Sequence, residues 1–181
     1  MNTTMKITLL AATACLLPVT ASADDFGYGA KTGFYTVSQS GFDPAWMISG
    51  HVSHDLPKMM EKFDFSLELE ASTTITEGDV DLDAPAGSSG EYDATVFSLS
   101  AVGRTTGDLY GIGRLGFSDT EIEVGASGSG LQSVSGKTEK TGVVFGGGVG
   151  MDLGGFPTEF ELNIYTVGDE NAYYLTGGVA Y

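Results

Sequence analysis

Six charged residues dominate the chemistry that the regular segments of this chain could do. Lys31 and Arg114 are basic, and Glu68, Glu70, Glu159 and Glu161 are acidic. The glutamates come in pairs two residues apart, a spacing that puts both carboxylates of a pair on one face of an extended strand. Held together in a confined interior, acids and bases would neutralise one another, since a buried charge left unpaired carries a heavy desolvation cost. The set can therefore be a packed ionic plug or a gated path for ions or protons. Acids outnumber bases, so some glutamates are expected to be protonated or to reach water.

Two further stretches invite a chemical reading. Glu77-Gly78-Asp79-Val80-Asp81-Leu82-Asp83 carries Asp at alternating positions, as a calcium loop would. An EF-hand needs Gly at its sixth position and Glu at its twelfth; counted from Asp79 these are Ala84 and Gly90, so a solvated acidic loop is expected. In His51-Val52-Ser53-His54 the first His and the Ser share a face. Hydrolysis needs base and nucleophile within hydrogen-bond reach and an acid to orient the base, whereas residues two apart on a strand lie about 6 to 7 Å apart at the backbone. With Asp55 next along, a polar strand end is expected. Nothing else suggests a nucleophile, a phosphate loop or a metal cluster, and neither an enzyme nor a cofactor is expected.

The elements that must position these groups begin after an export signal. Lys6 supplies a positive start, Ile7 to Val19 is an apolar run too short to span a bilayer, and Ala21-Ser22-Ala23 is a small-residue cleavage site. Residues 1–23 thus read as a signal peptide for Sec export, cleaved between Ala23 and Asp24, with one domain over 24–181. Cys15 lies inside the apolar run; Ala12-Thr13-Ala14 before it lacks the large aliphatic residue of a lipidation site. The mature part has no cysteine, so a core, a closed sheet or a membrane must supply the stability that disulfides often give exported proteins. Loss of Lys6 leaves 7 basic against 24 acidic residues, a net charge of −17, which excludes general attraction to nucleic acid.

From Phe26 onward, eight runs of about ten residues alternate with period two. In the clearest, Phe63, Phe65, Leu67, Leu69, Ala71, Thr73 and Ile75 oppose Asp64, Ser66, Glu68, Glu70, Ser72 and Thr74. The others are 26–37, 45–54, 92–104, 109–118, 141–153, 158–167 and 173–181. In 45–54, Trp46, Ile48, Gly50 and Val52 oppose Met47, Ser49, His51 and Ser53. In 92–104, Thr95, Phe97, Leu99 and Ala101 oppose Asp93, Ser98, Ser100 and Arg104. In the last, Tyr173, Leu175, Gly177, Val179 and Tyr181 share a face. Connections after runs two, four and six are short, and those after three and five, 76–91 and 119–140, are long and polar, with 125–136 reading as flexible. Short turns at one end and long loops at the other, with both chain ends on the short-turn side, are the habit of a transmembrane barrel. In hydrocarbon a sheet can span only if it closes on itself, and ten tilted residues is the length required. Aromatic residues agree: Phe63, Phe160 and Tyr181 fall near the lower interface, and Phe34, Trp46, Phe117 and Tyr173 near the upper.

The exported signal, the eight alternating strands and the terminal Tyr-x-Leu-x-Gly-x-Val-x-Tyr ending on Tyr181 resemble the small eight-stranded outer-membrane β-barrel family that includes the OmpA membrane domain, OmpX, OmpW and the opacity proteins. The resemblance covers the mature chain and rests on pattern; the family usually ends on Phe. It implies an all-β, antiparallel up-and-down barrel in the outer membrane of a Gram-negative envelope, surrounded by lipid; the two long polar loops are where contact with an extracellular ligand is expected. It also implies that Tyr173, Leu175, Val179 and Tyr181 are read as an assembly signal by the barrel-insertion machinery. A monomer with a plugged lumen and a structural or surface-interaction role is expected. The alternatives are a narrow channel or hydrophobic-solute carrier of the OmpW kind, and a lipid-modifying enzyme, since His51-x-Ser53 distantly resembles the His-x-Ser of outer-membrane lipid A deacylases. Membrane fractionation with a heat-modifiability gel checks the architecture: boiled and unboiled protein should migrate differently, whereas uniform migration and a soluble periplasmic fraction would overturn it.

Overall fold

The computed structural model describes residues 26–81, 88–128 and 134–181; the expected signal segment and its cleavage site at Ala23 and Asp24 lie outside these, as do 82–87 and 129–133. Period-two alternation becomes strand throughout: β1 (Phe26–Val37), β2 (Ala45–Asp55), β3 (Phe63–Thr74), β4 (Gly78–Val80), β5 (Ser88–Thr105), β6 (Leu109–Gly128), β7 (Val134–Asp152), β8 (Pro157–Val167) and β9 (Glu170–Ala180). All neighbours pair antiparallel, and β3 pairs with β5 while β1 pairs with β9, so eight strands close into a barrel. The three-residue β4 is the exception, an extra strand on the upper part of β5.

The seam is tied at its lower end by reciprocal backbone bonds: Tyr28 and Tyr181 each donate an N–H to the other's carbonyl at 2.7 Å, and their rings stack at 5.8 Å. Phe156 packs edge-on against Tyr181, and at the opposite end Phe34 meets Trp46 edge-on at 4.5 Å. Between these aromatic levels the outward face is apolar, with Leu67, Leu99, Leu115, Phe145, Leu162 and Leu175 all exposed. A wall this apolar is what hydrocarbon solvates and water does not.

Inward, the eight-stranded geometry leaves just enough room for side chains, and small residues make space for large ones. A Cβ on Gly150 would lie 2.2 Å from the Tyr110 ring, and one on Gly78 would lie 2.1 Å from that of Tyr92. The glycine-rich inner face of β7 is thus the complement of bulky neighbours. Short-turn connections sit together at 56–62, 106–108 and 153–156. In the last, Gly154 and Gly155 take φ of 69° and 90°, a conformation glycine adopts without a Cβ penalty.

Structure and sequence differ in three places. The stretch 119–140, expected as a loop, is largely the continuation of β6 and β7: pairing runs on from Asp119↔Thr141 to Ala126↔Val134, and Thr120 and Ile122 are buried. Alternation of Ile122 and Val124 with Glu121 and Glu123 explains this, and only 129–133 of the expected flexible segment falls outside the described residues. Likewise β5 begins at Ser88 and β9 at Glu170. Lastly, Asp93 belongs to the outer face with Thr95, because it alternates with the buried Tyr92 and Ala94. A lipid-facing wall predicts a cost of about 2–4 kcal/mol for Leu162→Arg, at the middle of β8, near a bilayer midplane. Urea titration in lipid vesicles measures it, and a neutral effect would mean that this face sees water.

Candidate functional site

The charged residues singled out from the sequence converge on the lumen. Lys31 on β1, Glu68 and Glu70 on β3, Arg114 on β6 and Glu161 on β8 are all buried. Lys31 Nζ lies 2.7 Å from Glu161 and 3.3 Å from both Glu68 and Glu70. Arg114 donates Nε to Glu161 at 3.2 Å, approaches Glu70 at 3.4 Å and makes a close ion pair with Glu68. The sixth residue, Glu159, stands one step nearer the short-turn end and reaches the cluster through Arg104, whose Nε donates to it at 2.8 Å and whose Nη2 lies 3.4 Å from Glu68. Tyr110 adds a hydroxyl donated to Glu159 at 3.2 Å.

Register explains the convergence. Glu68 faces Ser100 across β3–β5, Arg114 faces Gly146 across β6–β7, Glu161 faces Gly148 and Thr176, and Lys31 faces Ser49 and Gly178. Small or short neighbours on at least one adjoining strand thus leave Lys31, Glu68, Arg114 and Glu161 room to extend across the barrel. Arg104 was legible by parity, being in step with Ser98 and Ser100, but its sequence position at the end of a run gave no sign that it joins Glu68 to Glu159.

Above the charges the lumen changes character. Tyr35, Met47, Tyr92, Tyr165 and Tyr174 are almost fully inaccessible and pack with Val96, Val144 and Ala172 into an apolar cluster. Over it folds a cap: Asp43 N–H donates to the Asp79 carbonyl at 2.9 Å, Asp81 N–H donates to that of Gly41 at 2.7 Å, and Phe42 lies edge-on to Tyr92. Tyr92 in turn donates its hydroxyl to the Asp43 carbonyl at 2.8 Å. The apolar layer these tyrosines build was not legible in the sequence, because tyrosine counts equally as polar and apolar in an alternation.

Elsewhere the site readings separate. His51 and Ser53 share the inner face, yet no hydrogen bond joins them among the described residues; His51 instead lies beside Glu68 and Glu70. In the acidic stretch 77–83 the described part pairs with β5, Asp79 opposite Glu91. Glu77 lies outside the barrel wall, and its hydrogen bond to the Glu91 carboxylate, reinforced by that charge, pushes its pKa up. Cross-strand pairing places Glu121 opposite Glu139 and Glu123 opposite Lys137, and Lys137 bridges to Glu121 at 2.8 Å. Hydrogen bonding to Glu121 accordingly raises the Lys137 ammonium above its ordinary value. The terminal residues Tyr173, Leu175 and Val179 lie on the outer face of β9, paired to β1 on one side and β8 on the other, and Tyr181 follows the strand's end.

This architecture has solved counterparts. A major outer-membrane protein from Thermus thermophilus is similar over 86% of this chain and 97% of its own, at 14% identity and a TM-score of 0.58. The outer-membrane protein OprG of Pseudomonas aeruginosa matches over 86% and 95%, at 12% identity and 0.56. Ail, the attachment invasion locus protein of Yersinia pestis, solved with the heparin analogue sucrose octasulfate, matches over 86% and 97%, at 12% identity and 0.55. The fold is that of the small eight-stranded outer-membrane barrels. No protein-family model and no curated protein matches the chain. At such identities the likeness concerns the fold alone.

Because Arg114 bridges three carboxylates, Arg114→Met should strand buried charge and destabilise the barrel by about 3–5 kcal/mol. Lys137→Ala removes only a water-exposed pair and should leave the unfolding midpoint unchanged. Denaturant unfolding of both variants in detergent tests this; equal midpoints would mean that the lumen network carries no stability.

Proposed function

We propose that this chain is a closed outer-membrane barrel acting at its external surface, its lumen sealed and its long-loop end presenting an acidic rim. The observation that carries this is the filling of the interior: a layer of three bases and four carboxylates topped by the tyrosine cluster and the 41–43/79–81 cap. Side chains that fill an eight-stranded lumen leave no continuous water path, and ionic pairing removes the charge an ion would follow. The apolar outer wall supports membrane residence, and the short-turn end, with both ends of the described chain, is assigned to the periplasm.

The outward work then falls to the β6–β7 hairpin and the β4 edge. Their described residues include Glu77, Asp79, Glu91, Glu121 and Glu123 against Lys137 and Lys140. A rim of this sign favours cationic partners and repels polyanions. Ail was solved with a polysulfated ligand; the acidic rim argues for the opposite preference here. A structural role in the envelope is compatible with the same sealed lumen.

Planar-bilayer recording and a rim-binding assay test the two halves. The expected results are no steady conductance, salt-sensitive binding of poly-lysine but not of sucrose octasulfate, and several-fold weaker poly-lysine binding when residues 121–137 are replaced by a short turn. Large steady conductance would overturn the sealed lumen in favour of a channel, and hairpin-independent binding would remove the rim from the account.

A further inference from the structure

We propose that His51, Glu68 and Glu70 form a binding site for a transition-metal dication inside the barrel, a function independent of the rim. Register builds it: His51 stands directly opposite Glu70 across β2–β3, and Glu68 is the next inward residue on the same strand. One donor atom from each lies within 4.8 Å of the others. All three are at least nine-tenths buried, at 5%, 0% and 1% exposure respectively.

Two observations beyond the acidic pair point to a ligand. His51 Nδ1 is buried with no hydrogen-bond partner among the described residues, an uncommon state for an interior polar atom. Among the described residues the interior is also one positive charge short, since Lys31, Arg104 and Arg114 face Glu68, Glu70, Glu159 and Glu161. A dication held by the imidazole would give that nitrogen a partner and move the balance from one excess negative charge to one excess positive charge.

The carboxylates retain coordinating capacity. Among the described residues Glu70 Oε1 accepts only the Ser72 hydroxyl, at 3.2 Å, and Glu68 Oε2 only Arg104, at 3.4 Å. Lys31 has its shortest contact with Glu161, at 2.7 Å, so it can stay there while the other two carboxylates turn. The imidazole occupies space that Gly29 leaves open, because a Cβ there would lie 2.3 Å from His51 Cε1. Arg104, with its side chain 21% exposed, marks the approach from the short-turn end. One imidazole nitrogen and two carboxylate oxygens suit Zn2+ and its neighbours, leaving a fourth position for water. Calcium, which takes six to eight oxygens, is a poor match. Small side-chain rotations must draw the donors in to metal–ligand distances of about 2 Å.

Zinc titration of the full barrel in detergent, followed by calorimetry, is the test. One Zn2+ per folded barrel is expected, with affinity at least about tenfold weaker in His51→Gln and unchanged in His54→Gln, both variants first shown to be folded by the gel shift. Bound Zn2+ should also raise the unfolding midpoint of the wild type and not of H51Q. No zinc uptake, or uptake indifferent to H51Q, would overturn the site. If H51Q fails to fold, X-ray absorption of zinc-loaded H54Q decides, since His51 is then the chain's single remaining mature histidine. An imidazole shell supports the site and all-oxygen coordination overturns it.

Discussion

A backbone surrounded by hydrocarbon must satisfy all its N–H and C=O groups within itself, and every other feature of this protein follows from how that is achieved. The β1–β9 ladder, fastened by the paired Tyr28 and Tyr181 amides, removes the last free edges of the eight-stranded wall. Once the wall closes, alternation sorts the chain into an apolar exterior and an interior with no route to bulk water except at its ends. Glu68, Glu70, Glu159 and Glu161 are then forced inward, and Lys31, Arg104 and Arg114 have to meet them there.

The interior solves its packing in two tiers. Charged side chains that reach across the barrel occupy the half nearer the short turns, where glycines on β7 and β9 leave them room. Tyrosines fill the other half with their rings in an apolar layer, and two of them also donate a hydroxyl to a backbone carbonyl, Tyr92 to that of Asp43 and Tyr174 to that of Met47. Between them the tiers divide the work: ion pairs cross-link strands that are far apart in sequence, and the aromatic tier packs over them.

Most of the wall was legible in the sequence because period two is a direct consequence of strand geometry. Segments such as Phe63 to Thr74, with apolar and polar faces cleanly separated, could hardly be anything else. The six network residues were legible for the same reason, since parity alone assigns a side chain to the lumen. Distance along the barrel was not legible, so neither Arg104 as the link to Glu159 nor His51 as the neighbour of Glu70 could be anticipated; both depend on the shear between strands. The β6–β7 hairpin was misjudged because polar composition was weighed above alternation, although Ile122 and Val124 keep the rhythm.

We infer that water does not pass the interior of the folded barrel. Cysteine accessibility addresses it directly, since residues 24–181 contain no cysteine. Ser72→Cys and Ser118→Cys place a thiol in the buried lumen, and Leu115→Cys places one on the outer wall. In the folded protein, a charged, membrane-impermeant thiol reagent should leave both lumen cysteines unmodified until the barrel is boiled. Rapid labelling of Ser72→Cys or Ser118→Cys in the folded state would contradict the sealed interior on which the account rests.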